Sequence, residues 1–119
     1  MSEAVAVKHA IDLKTAQIRQ DLMMVSMHDR YMSSDEQLIL TNVNAGMEDI
    51  RQYSKIIGAD GIIEIAEKQT LIFKIEKILA GSVEIAKEKG ITGDQREILT
   101  VLKNHITQLR SEIYKIKAV

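Results

Sequence analysis

Cysteine, proline and tryptophan are absent from the 119 residues, and the aromatic residues stop at Tyr31, Tyr53, Phe73 and Tyr114. Without cysteine the chain can form no disulfide, no thiolate nucleophile, no iron–sulfur cluster and no Cys-ligated zinc. Without proline, nothing removes a backbone donor inside a helix, so long uninterrupted helices are open to it. So few aromatic rings leave little to build a base-stacking or sugar-stacking surface from. The interior must therefore be aliphatic, and isoleucine alone occurs 18 times.

Charge of one sign is also missing. Sixteen basic residues are interspersed with 17 acidic ones for a net charge of −1. No lysine–arginine run exists to neutralise several phosphates together, which argues against nucleic acid as a partner. Residues 1–9 show no basic segment followed by an apolar one, and no apolar run approaches the roughly 18 residues a spanning helix needs. The expectation is a cytoplasmic protein with no membrane partner. A hydrophobic content of 45% with 28% charged residues fits one folded domain of ordinary size.

What is present is helical periodicity. Ala4, Val7, Ile11, Ile18, Leu22 and Val25 recur three, four and seven residues apart, which places them on one helix face. Ile39, Val43, Ile50 and Ile57 do the same, with Gly46 and Tyr53 on their side, and Gly46 marks a candidate close approach between helices. Leu99, Leu102, Ile106, Leu109, Ile113 and Ile116 form an unbroken seam of threes and fours. Breaks fall at Ser33–Gln37, Gly58–Gly61 and Gly90–Gln95. Ser-x-x-Glu/Gln and Thr-x-x-Gln spacings there suit capping boxes, and Gly58 suits the left-handed position after a helix. The reading is all-α: an antiparallel four-helix bundle with helices over about 3–32, 34–57, 62–89 and 93–117, self-sufficient or completed by dimerisation.

The third segment is the most apolar and carries two stripes. One is Ile62, Ile65, Ile72, Leu79, Val83 and Ala86; the other is Leu71, Ile75, Ile78 and Ile85. Residues 71–75 also alternate tolerably as a strand, but the recurrent Glu, Lys and Ala and the second stripe favour helix. Two stripes mean that the helix is buried on two sides or has a face left for another molecule.

Residues suited to chemistry are sparse. Met24, His28 and Met32 recur four apart with Met27 beside them, and thioether with imidazole suits a soft cation such as Cu(I). The plainer account is that methionines fill an irregular end of the core. His28–Asp29 has the acidic neighbour of some phosphoacceptor histidines, but not the lysine and small residue that follow in histidine phosphotransfer domains. No Glu-x-x-His pair, no His-Glu-x-x-His motif, no Gly-x-Ser-x-Gly elbow and no glycine-rich phosphate loop occurs. His105 flanks the last seam and reads as a partly buried spacer, so that its loss should leave folding largely intact.

No cofactor and no catalytic residue is implied. The leading expectation is a non-enzymatic interaction module, which would bind a second copy of itself or a helical protein partner. Its interaction face would comprise Leu71, Ile75, Ile78, Ile85, Leu102, Ile106, Leu109 and Ile113, at helix-in-groove spacing. The alternatives are a sensor of a small ligand or soft metal, with Met24, Met27, His28 and Met32 as ligands, and an enzyme using buried carboxylates or His105.

Overall fold

Where the sequence spaces aliphatic residues three and four apart, the backbone is helical. The computed structural model describes residues 3–27, 34–59, 61–87, 91 and 93–119. Its helices are α1 (Glu3–Met27), α2 (Ser34–Ser54), α3 (Ile65–Ala86) and α4 (Gly93–Tyr114). No strand occurs among the described residues, so residues 71–75 belong to a helix. Each helix packs against two neighbours in the cyclic order α1–α2–α3–α4, giving a four-helix bundle of 47 × 21 × 19 Å. Neighbours are antiparallel. Asp21 meets His105 while Val25 meets Gln95, and Gly46 meets Ile78 while Val43 meets Gly81.

One aliphatic core fills the centre. The α4 seam is buried from Leu99 to Ile116, as its spacing predicts. It shares that core with Ala4, Ile11, Ile18, Leu22 and Val25 of α1, and with Ile39, Leu40, Val43, Met47 and Ile50 of α2. On α3 the inner stripe is Leu71, Ile75, Ile78 and Ile85, continued by Ser82, whose hydroxyl donates to the Leu79 carbonyl at 2.8 Å. Burying each large aliphatic side chain contributes roughly 1.5–3 kcal/mol against the entropy of ordering the chain.

Several helix ends differ from those expected. α2 stops at Ser54, and a turn follows through residues 55–59; Gly58 takes the expected left-handed φ of +60°, but within that turn and not directly after the helix. Residues 62–64 are not helical, Glu64 being extended, and α3 begins at Ile65. The cause is a clasp with the C-terminal segment: Val119 N donates to the Ile63 carbonyl and Ile65 N to the Val119 carbonyl, at 3.1 and 3.2 Å. Glu67 completes the junction, accepting from the amides of Glu64 (2.9 Å) and Gly58 (3.4 Å). α4 ends at Tyr114, yet Ile116 remains in the core. α3 ends at Ala86 with Lys87 as its C-cap, short of the residue 89 expected, whereas the expected extension of α1 to residue 32 lies outside the described residues.

Candidate functional site: the groove between α2 and α3

Small residues determine how closely α2 and α3 approach. A Cβ on Gly46 would lie 2.8 Å from Cγ1 of Ile78, and one on Gly81 would lie 2.9 Å from Cγ2 of Val43. Each glycine thus seats a branched side chain of the opposite helix, which confirms the close approach expected at Gly46. Over these contacts lies an open groove of about 660 Å³. Its walls follow from helical spacing: Asn42, Ala45 and Asp49 on α2, and Phe73, Lys77, Ala80 and Glu84 on α3. Leu38 precedes Asn42 by one turn on the same side of α2 and is exposed.

Phe73 has 70% of its surface exposed on the rim, so its ring contributes little to folding. Beside it the Lys74 ammonium pairs with Asp49 and lies 5.4 Å from the centre of the Tyr53 ring. On the other flank of α3 a shallower depression is lined by Leu79, Ala80, Val83 and Glu84. Ala80 and Glu84 therefore stand between two concavities.

The residues expected to face a partner are placed differently. Leu71, Ile75, Ile78, Ile85, Leu102, Ile106, Leu109 and Ile113 are all buried in the core of a single chain. They are the stripes that meet one another when the bundle closes, so none remains for an external helix. The apolar surplus belongs to the other stripe: Ile62, ahead of α3, and Ile65 are exposed, and Ile72, Leu79 and Val83 are half-buried.

Of the four candidate soft-metal ligands, His28 and Met32 lie outside the described residues. Met24 and Met27 are exposed at the end of α1, Met27 to 75%. They do not fill the core there, because Leu22 and Val25 occupy the inward positions; among the described methionines it is Met47 of α2, further along the bundle, that is buried. Among the described residues no group of three or more His, Asp or Glu side chains gathers as a metal site.

His105 is partly buried, as expected, but does more than space the seam. It is hydrogen-bonded to Asp21 across the α1–α4 seam, with Nδ1 2.5 Å from Oδ2. A carboxylate can only accept, so Nδ1 carries the hydrogen. Asp21 is buried to 7% exposure. His105→Ala would leave that carboxylate without this partner, and the protein is expected to lose about 1–3 kcal/mol of stability in urea unfolding. An unchanged midpoint would show the pair to be inconsequential.

Three further polar straps cross the other seams. Arg19 reaches Glu48 from α1 to α2 at 3.1 Å, Lys74 pairs with Asp49, and Arg110 of α4 pairs with Glu76 of α3. Hydrogen bonds from Arg51 and then Gln52 hold the Glu48 carboxyl down at a pKa of about 2. The hydrogen bond from Arg110 likewise lowers that of Glu76. These straps fix rotation and register of the helices more than they add stability, since exposed pairs contribute little.

No helix among the described residues is long and apolar enough to cross a membrane. The chain matches no protein-family model, no curated protein and no solved structure.

Proposed function

We propose that this chain is a non-catalytic interaction module that docks an amphipathic helix in the groove between α2 and α3. The observation that carries the reading is Phe73, a large ring held in solvent on the rim of a groove whose floor is lowered by Gly46 and Gly81. Helix-in-groove recognition needs that combination: a trough shallow enough for a backbone and an apolar anchor beside it. Leu38 supplies a second exposed apolar side chain towards the other end. Burying such a side chain on docking contributes roughly 1.5–3 kcal/mol, against the rotational and translational cost of association.

A library of amphipathic helical peptides panned against the intact protein tests this reading, with the best binder mapped by amide chemical shifts. Perturbations centred on Asn42, Ala45, Phe73, Lys77 and Ala80 are expected. Perturbations centred on the methionines of α1, or the absence of any saturable binder, would overturn it.

A further inference from the structure

The charges along α3 have a two-fold pattern. Lys77, Ala80, Gly81 and Glu84 share one face, and the midpoint between Lys77 and Glu84 falls between Ala80 and Gly81. Lys74 is taken by Asp49, and Glu76 by Arg110. Neither Lys77 nor Glu84 has an ion-pair partner among the described residues. A cation and an anion, neither ion-paired among the described residues, thus sit two turns apart, symmetrically about Ala80 and Gly81. An antiparallel copy of α3 centred on those small residues would set each Lys77 against the other copy's Glu84. Ala80, exposed at the centre, would let the backbones approach, and the concavities on either side of it would receive the flanks of the second helix.

We propose that the occupant of the groove is a second copy of this chain, docked about a two-fold axis through Ala80 and Gly81, with Lys77 of each copy paired to Glu84 of the other. This inference rests on the reading of the groove as a helix-docking face and adds to it the identity of the partner. An isologous contact of this kind is the commonest route to a closed dimer. The face reaches the lower end of what stable complexes bury. The 22 residues of α3 run for about 33 Å, and the bundle is about 20 Å wide, which offers on the order of 600 Å² per copy against about 800 Å² in typical stable complexes.

The test is the mass of the intact chain by light scattering, for wild type, Lys77→Glu, Glu84→Lys and an equimolar mixture of the two variants. The wild type is expected to be a dimer. Each reversal alone sets like charges against each other twice and should weaken it on the order of a hundredfold. The mixture should recover a dimer, because the two variants carry opposite charges at both facing positions. As a second measurement, Ala80→Cys in this cysteine-free chain should oxidise to a covalent dimer, since the axis brings the two thiols within the Cα separation of about 4–7 Å that a disulfide needs. Thr107→Cys, exposed on α4, should not. A monomeric wild type, or a dimer indifferent to both reversals and to the site of the cysteine, would overturn the proposal. If peptides from the panning experiment still occupied the groove of such a monomer, the docking face would stand and only the self-association would fall.

Discussion

Ile106→Ala is expected to lower the free energy of unfolding by about 2–5 kcal/mol, the cost of the lost aliphatic surface plus the cavity left behind. Ile106 is fully buried and stands in the middle of the α4 seam, facing α1 and α3. The total stability of a domain of this size is only about 5–15 kcal/mol, so a single truncation removes a large share of it. Urea unfolding at several protein concentrations reads the effect. A loss of this size in the monomer confirms that the seam holds one chain together. A mild loss that appears only at concentrations where copies associate would return Ile106 and its neighbours to a surface between chains.

Gly46→Leu should cost about 3 kcal/mol or more, although backbone propensity alone favours the change. Replacing a mid-helix glycine by a good helix former contributes about 1 kcal/mol. Against that, even the first carbon of a new side chain would lie 2.8 Å from Cγ1 of Ile78 and 3.3 Å from its Cδ1. Cγ1 lies next to the branch point of a buried side chain, so it cannot swing aside without moving α3. Overpacking of this kind costs about 1–3 kcal/mol for extra methylenes in a tight core, and more when a whole isobutyl group must fit. Ile78→Ala opens the space. In a double-mutant cycle the two changes together should therefore cost clearly less than the sum of their separate costs. Additive costs would mean that the two helices do not meet at this point.

Much of this was legible in the sequence, and the exceptions have physical causes. The α4 seam and the α1 stripe could be read directly because each helix offers one apolar face with no competing choice. α3 offers two, and periodicity cannot rank them. The selection is made by the neighbours: Gly46 provides a socket for Ile78, and the inner stripe passes through Ser82, whose polarity hides its continuity. Treating Ser82 as a small residue that bonds its own helix would have extended that stripe from Leu71 to Ile85 and marked it as core. The groove left a fainter trace still. Asn42, Ala45 and Asp49 look like a wetted helix face, and become a wall only once α3 lies alongside. The Asp21–His105 bond links residues 84 positions apart, beyond the reach of local spacing. The misplaced start of α3 has the same origin, since the residues before it are tied to Val119 at the far end of the chain.

The central claim is that the surface that folds this chain and the surface that binds are separate. Ala80→Arg tests it most directly, with unfolding free energy and peptide binding measured on the same preparation. Ala80 is exposed on α3, so the substitution should change stability by no more than about 0.5 kcal/mol. The long side chain would nevertheless fill the middle of the groove, and binding of peptides selected on the wild type should be lost. Retained binding at unchanged stability, or a large loss of stability, would contradict the account.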